Sequence, residues 1–206
     1  MIRIWGRTTS SNVQKVMWAV GELGVAHERI DVGREYGGLD TDAYGALNPN
    51  RRIPTLEDGD AVVWESNVIV RYLAAKFGSG TLWPVDPATR AVADEWMDWQ
   101  QTTLAEDMRT VFWGLVRTPE EQRERAKIAA AVESLKEIWA RLDRHLRGRA
   151  FVAGDHLTMG DIPVGTICYR YHALGVERAP LSNLEAWYER LTSRAPFREH
   201  VMLPLS

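Results

Sequence analysis

The chain has 206 residues, of which 45% are hydrophobic and 26% charged, the balance of a water-soluble globular protein with one large domain or two small ones. Its single cysteine, Cys168, excludes an internal disulfide, a Cys-x-x-Cys redox pair and a cysteine-based zinc site. A net charge of −3 disfavours a broad nucleic-acid-binding surface. No apolar run is long enough to cross a membrane, and the first residues lack a signal-peptide core. We therefore expect a cytoplasmic, metal-free protein.

The first eighty residues alternate between strand and helix patterns. Apolar residues at helical spacing begin after Asn12 and end before Gly24, and Asp58-Gly59 is typical of a hairpin turn. The order β-α-β-α-β-β-α indicates a small mixed sheet covered by helices. The predicted elements are strands at 2–4, 26–31, 54–57 and 61–64, and helices at 12–23, 41–47 and 66–77.

The rest of the chain is predicted to be helical. Asp86 before a proline favours a helix that continues to about Arg117. Capping boxes at 118–121 and 182–185 predict two further helix starts, and Asp161 is expected to act as the acidic member of a third. The sequence therefore predicts an α/β domain at 1–79, a linker at 80–85 and an all-helical domain at 86–206.

Three polar clusters stand at strand ends or helix starts, where α/β folds bind their ligands. The polar side chains at 9–12 either face a ligand or cap the first helix. Pro54, after two arginines and Ile53, is either a cis proline in a binding turn or a trans proline at a strand entry. Glu65 and Ser66 either form a corner for an amino acid's charged ends or only cap the third helix.

In combination these clusters resemble a known family. The sequence is similar to the cytosolic glutathione transferases, and its motifs resemble those of bacterial, theta-like, serine-type members. The resemblance implies a thioredoxin-like N-terminal domain joined to an all-α C-terminal domain, acting as a homodimer. The motifs that carry it are SSNVQKV at 10–16, NPNRRIP at 48–54, ESNVI at 65–69, DEWMDWQQTTL at 94–104 and LTMGDI at 157–162.

The resemblance also implies roles for individual residues. Ser10 is expected to stabilise the thiolate of glutathione, with Thr9 and Ser11 as alternatives in register, and Asn12 to contact the thiol. Gln100 is expected on the helix that lines the dimer interface, within reach of the partner's glutathione. The remaining implied contacts are Ile53 and Pro54 for the cysteinyl part, Glu65 and Ser66 for the γ-glutamyl end, and Arg52 and Arg51 for the glycyl carboxylate.

The activity implied is attack of the glutathione thiolate on a small hydrophobic electrophile, by conjugation or dehalogenation, with glutathione as co-substrate. One hydroxyl suffices because glutathione supplies the sulfur. The electrophile pocket is expected between the domains, lined by Met108, Phe112 and Trp113, with Tyr169 and His172 as further candidates. Two alternatives remain open: glutathione-dependent disulfide or peroxide reduction, and a non-catalytic module that binds a ligand or protein.

Overall fold

The computed structural model describes all residues from Met1 to Ser206. Ile2 and Ile4 of the first strand are buried, while Arg3 between them is exposed. One face of this strand therefore packs against the core. The strands form one sheet in the order β2-β1-β3-β4, in which β1 and β2 are parallel and the other neighbours antiparallel. The strands are β1 Ile2–Trp5, β2 His27–Ile30, β3 Thr55–Asp58 and β4 Ala61–Trp64.

The predicted helices of the N-terminal domain are all present. Gly24 ends the first helix in the left-handed conformation (φ 62°), as its position after the last apolar residue indicates. The helices of this domain are α1 Ser11–Leu23, α2 Asp42–Leu47 and α3 Ser66–Phe77.

The C-terminal domain is all-helical, as predicted. The helix that begins after Asp86 does reach Arg117, but two π-helical segments, Gln100–Leu104 and Trp113–Arg117, interrupt its α-helical ladder. Such segments are frequent at functional sites because they redirect side chains locally. The α-helices of this domain are α4 Pro87–Trp99, α5 Ala105–Phe112, α6 Arg125–His145, α7 Asp161–Ala173, α8 Ser182–Thr192 and α9 Ala195–His200. No helix is both long and apolar enough to cross a bilayer.

The helix starts predicted after Asp86, at Asp161 and at Ser182 are confirmed, and of the three predicted capping motifs the one at Asp161 forms. The Asp161 carboxylate accepts hydrogen bonds from the Thr158 main-chain N–H (2.9 Å) and hydroxyl, and also from the Trp187 indole (2.9 Å). The capping box at 118–121 is wrong: the Thr118 hydroxyl donates to the Trp113 carbonyl, and α6 begins only at Arg125.

The capping box at 182–185 is also wrong, although a helix does begin there. The orphan N–H groups of Asn183 and Leu184 donate to the Asp143 carboxylate of α6, at 2.8 and 2.9 Å. An acidic side chain from another helix therefore supplies the cap that Ser182 was expected to supply.

The two domains share one hydrophobic core. Trp18 of α1 is fully buried and packs edge-to-face on Phe197 of α9, with ring centroids 4.7 Å apart. Gly165 of α7 packs closely against the same Trp18 side chain. A Cβ added at Gly165 would lie 2.9 Å from Trp18 and 2.6 Å from Leu191, so only glycine fits at this distance. The absence of a side chain at Gly165 thus sets the distance between α1 and α7.

Replacing Gly165 by Ala should destabilise the protein by about 1–3 kcal/mol, because the added methyl group overpacks the domain junction. Urea unfolding measures the change, with the exposed Ala173→Ser on the same helix as control, expected within about 0.5 kcal/mol of wild type. Equal stability of Gly165→Ala and wild type would show that the junction can relax.

Candidate active site

Three hydroxyl side chains stand in the turn between β1 and α1. Ser10 precedes the helix in extended conformation, and its carbonyl accepts the first helical hydrogen bond from Gln14 at 2.9 Å. Its hydroxyl makes no capping hydrogen bond, so capping does not explain Ser10. The Thr9 hydroxyl is buried without a partner. Thr9, Ser10 and Ser11 line the same cavity, and neither serine hydroxyl has a hydrogen-bond partner that would occupy it.

The start of α3 is built around a backbone conformation that is unusual for its residue type. Glu65 has φ 69° and ψ 116°, and a non-glycine residue at positive φ costs on the order of 1–3 kcal/mol. Because Glu65 is the residue before the helix, Ser66 is its first residue and not its cap. The Ser66 hydroxyl instead donates to the Asn12 amide oxygen at 3.3 Å. This contact joins the start of α3 to the β1–α1 turn.

Sequence reasoning missed a buried lysine at the centre of this arrangement. Lys15 of α1 is 2% exposed, and its ammonium group donates to Gln100 Oε1 at 2.7 Å and Asn67 Oδ1 at 3.3 Å. It also lies 3.5 Å from Ser66 Oγ. Burial lowers the pKa of Lys15 to about 7, an effect that the nearby Glu65 carboxylate opposes. A lysine in the first turns of a helix is ordinarily solvated, so the sequence carried no signal for this contact.

Gln100 faces the interior of its own chain. It is buried at the start of the first π-helical segment, where it binds Lys15 and lines the cavity. The buried ammonium group of Lys15 accounts for this position, because it requires hydrogen-bond acceptors. That Gln100 reaches a partner's glutathione stays a prediction.

The turn before β3 contains the expected cis peptide. The Ile53–Pro54 bond is cis, so the trans alternative is wrong. The main-chain N–H and C=O of Ile53 take part in no backbone–backbone hydrogen bond. Two side chains stabilise this turn, because the Arg52 carbonyl accepts hydrogen bonds from the Tyr44 hydroxyl at 2.8 Å and from the Asn48 amide at 2.9 Å. Ile53 therefore offers a free donor and acceptor at the site.

The two arginines before this turn differ in their surroundings. The Arg51 guanidinium donates to the carbonyls of Leu39 and Thr41, at 3.2 and 2.7 Å, and thereby fastens the loop before α2. Arg52 extends an exposed side chain from the turn. Arg51 thus has a structural task, whereas Arg52 is free to meet an anion.

A cavity of about 270 Å³ lies between the two domains. One wall is the β1–α1 turn with Ser10 and Asn12, and the other comes from the helices of the C-terminal domain. Met108, Phe112 and Trp113 all line it, and that it holds the electrophile stays a prediction.

Two other pocket candidates do not line the cavity. The Tyr169 hydroxyl donates to the Leu203 carbonyl at 2.7 Å. His172 stacks on Tyr188, with ring centroids 4.1 Å apart, and faces Glu185.

The cavity is less apolar than expected. Arg7, Arg109, Arg117 and Arg170 are among its lining residues, and no aspartate or glutamate is. Arg170 could have been found from the sequence, because it is the one charged residue within the otherwise uncharged segment 162–171.

Cys168 lies in the core and not in the cavity. Burial raises the pKa of its thiol well above the ordinary value. The protein therefore brings no reactive sulfur of its own, as the sequence indicated.

Comparison with known proteins agrees with this geometry. Residues 9–76 match the family model described as "Glutathione S-transferase, N-terminal domain", and residues 120–190 match the corresponding C-terminal domain. The chain is 43% identical to glutathione S-transferase GstB of Escherichia coli (strain K12), over the full length of both chains. It is 32% identical to human glutathione S-transferase theta-1 over 62% of this chain and 59% of that protein.

A solved structure of high similarity contains a ligand. The theta class glutathione S-transferase of Xanthomonas axonopodis pv. citri, crystallised with glutathione bound, superposes with a TM-score of 0.95. It is 49% identical to this chain, and the match covers 100% of this chain and 99% of that one.

The burial of Lys15 predicts a pH dependence of stability. Above pH 7, Lys15 loses its proton in the folded protein, whereas the unfolded chain keeps that proton until about pH 10.4. The free energy of unfolding of wild type should therefore rise relative to that of Lys15→Met as the pH increases from 7 towards 10. The slope should be at most about 1.4 kcal/mol per pH unit, and the difference should be constant below the folded pKa.

Urea unfolding at several pH values measures this difference. The exposed Lys127→Met serves as control, and its stability should follow that of wild type throughout. Parallel curves for wild type and Lys15→Met would contradict the account.

Proposed function

Since the chain belongs to the glutathione S-transferase family, we propose that its β1–α1 turn holds the thiol of glutathione and stabilises the thiolate through the Ser10 hydroxyl. The observation that carries this proposal is the position of Ser10. Its hydroxyl lines the cavity at the amino end of α1 and is not used to cap the helix.

One hydroxyl is enough for this task. A free thiol has a pKa of about 8.5, and a hydrogen bond to a charged group contributes roughly 1.5–3 kcal/mol. At about 1.4 kcal/mol per unit, Ser10 lowers the pKa of the bound thiol by about one to two units. The amino end of α1 acts in the same direction, because its dipole favours negative charge. The thiol proton leaves to solvent.

The thiolate then attacks an electrophilic carbon held in the cavity. A carbon–sulfur bond forms, and the leaving group departs with the electron pair of the bond that breaks, or the pair moves onto an activated acceptor. Holding both reactants in one cavity makes this step effectively unimolecular. Conjugation of this kind supports a role in detoxification.

The other parts of glutathione are assigned to the neighbouring elements. Glu65 and Ser66 bind the ammonium and carboxylate of the γ-glutamyl end, and Ile53 pairs its free main-chain groups with the cysteinyl residue. Arg52 meets the glycyl carboxylate. Lys15 acts as a positioning residue, because it holds Ser66 in place.

We further propose that the protein is a cytoplasmic homodimer. The exposed apolar residues Val62 and Trp64 lie on the edge strand β4, and Val68 lies on α3 beside them in sequence, with 42%, 37% and 46% exposure. Such residues at a sheet edge support an interface. A lone buried cysteine is consistent with a reducing compartment.

Ser10→Ala should raise the pKa of enzyme-bound glutathione by about one to two units and lower kcat/KM at pH 7 by about 10- to 100-fold. Ultraviolet absorbance of the thiolate, titrated against pH, measures the first quantity. Ser11→Ala and Thr9→Val are matched controls from the same turn, and both should titrate like wild type. If Ser11→Ala removes the effect instead, Ser10 is not the thiolate ligand.

Arg52→Met should raise KM for glutathione by about two- to fivefold, the loss expected for an exposed ion pair, with kcat little changed. Arg51→Met should instead lower the thermal midpoint, because Arg51 fastens the loop through Leu39 and Thr41. Steady-state kinetics and thermal unfolding of both variants separate these outcomes. A larger KM effect for Arg51→Met than for Arg52→Met would reverse the assignment.

A further inference from the structure

One buried arginine, Arg170, lies beside the cavity between the domains without a carboxylate partner. Arg170 of α7 is 6% exposed, and its guanidinium donates only to neutral oxygens, the Thr9 carbonyl at 2.9 Å and Gln14 Oε1 at 3.4 Å. The Nε atoms of Arg7, Arg117 and Arg170 are all buried without a partner. None of these three arginines forms an ion pair within 4.0 Å with an aspartate or glutamate.

Neighbouring arginines help to lower the pKa of Arg170 and of Arg117, whereas at Arg7 the Glu35 carboxylate opposes the lowering. Burial, followed by the charges of Arg117 and Arg7, lowers the pKa of Arg170 to about 10. Burial and the charges of Arg34 and Arg7 likewise lower the pKa of Arg117. Burying like charges together is costly, and the cost falls when an anion enters.

Aromatic rings and main-chain oxygens provide part of the compensation. The guanidinium carbons of Arg170 and Arg117 lie 4.7 and 5.2 Å from the centroid of the Phe112 ring, and Arg117 lies 5.2 Å from that of Trp113. Arg117 also donates to the Ser206 main-chain oxygen at 2.8 Å. These contacts hold the guanidinium groups beside the cavity, but a ring face balances a charge only in part.

We propose that the second substrate is a small electrophile that carries a carboxylate, which Arg170 and Arg7 bind with help from Arg117 while the reacting carbon faces Ser10. This inference rests on the proposed function, because it assigns the substrate class of the same site. Guanidinium groups suit this task, since their planar N–H donors match the geometry of a carboxylate.

The arginines are not needed for the carboxylates of glutathione. The residues assigned to those groups, Arg52, Glu65 and Ser66, do not line the cavity, whereas Ser10 does. Ser10 therefore stands at the boundary between the two ligands. The cavity volume of about 270 Å³ is at the small end for ligand sites and suits a compact second substrate.

A matched pair of electrophiles tests the substrate class. In 4-chloro-3-nitrobenzoate, the thiolate sulfur bonds to the ring carbon that carries chlorine, and chloride leaves with the electron pair. The carboxylate at the opposite end of the ring is unchanged. In 4-chloro-3-nitrobenzamide a neutral amide of similar shape replaces the carboxylate. Each enzymatic kcat/KM is divided by the uncatalysed rate with glutathione, which removes the difference in intrinsic reactivity.

Wild type should enhance the reaction of the acid at least about tenfold more than that of the amide. Arg7→Gln and Arg117→Gln should each lower the enhancement for the acid about tenfold while leaving the amide within about threefold. Arg170→Gln should do the same if it folds, and the other two variants decide the outcome if it does not. Arg141→Gln, on the exposed surface of α6, removes the same charge elsewhere and should match wild type.

Two results would overturn the inference. Equal enhancement of acid and amide by wild type would show that the arginines do not select an anion. An increase of KM for glutathione in Arg7→Gln and Arg117→Gln, equal with both electrophiles, would assign the cluster to glutathione.

A binding measurement separates this inference from the proposed function. Calorimetry with 3-nitrobenzoate and 3-nitrobenzamide, which lack the leaving group, requires no thiolate. The acid should bind wild type at least about tenfold more tightly than the amide and lose that advantage in Arg7→Gln. If it does so while bound glutathione fails to ionise, the proposed function is wrong and the anion site stands. If glutathione ionises but acid and amide bind alike, the inference is wrong and the proposed function stands.

Discussion

One buried ammonium group holds the active site together. Lys15 belongs to α1, while its acceptors come from the start of α3 and from the helical domain. A buried charge tolerates no missing partner, so Ser66, Asn67 and Gln100 are constrained by the same atom. The Ser66 hydroxyl extends this constraint to Asn12 in the β1–α1 turn. The turn that presents Ser10 is therefore tied both to the proposed γ-glutamyl site and to the wall of the cavity.

The charges around the cavity also bear on the chemistry. Arg7, Arg109, Arg117 and Arg170 place positive potential around the cavity, which no aspartate or glutamate lines. Such potential favours an anionic group on a ligand in the cavity, whereas the proposed stabilisation of the thiolate rests on the Ser10 hydroxyl. A carboxylate on the second substrate would use the same potential. The site thus favours negative charge on both reactants without a metal ligand or a nucleophile from the protein.

Much of this organisation could be predicted from the sequence. The features that could not be predicted depend on contacts between residues that are distant in sequence. Helical spacing in α1 and α3 and the turn residues of the β3–β4 hairpin are local signals, and these elements form as predicted. The resemblance of 48–54 to a family motif also pointed to the cis bond before Pro54. Lys15 was missed because its environment comes from residues distant in sequence. Asp143 likewise caps α8 across the fold, where a local capping box was expected.

The tryptophans illustrate the same division between local and distant signals. Nine tryptophans in one chain could have formed an aromatic ligand site, but Trp18, Trp139 and Trp187 are fully buried in the core. Trp113, at 54% exposure, lines the cavity. The single cysteine has the sharper meaning, since the reactive sulfur must come from the ligand.

The most direct test of this account is the pKa of the glutathione thiol in the wild-type complex. Glutathione labelled with ¹³C at the cysteinyl Cβ reports its own ionisation through the chemical shift, independently of the protein's absorbance. The midpoint should lie about one to two pH units below the value of about 8.5 for a free thiol. A midpoint equal to that of free glutathione would show that the site binds the peptide without activating its sulfur, and would contradict the central claim.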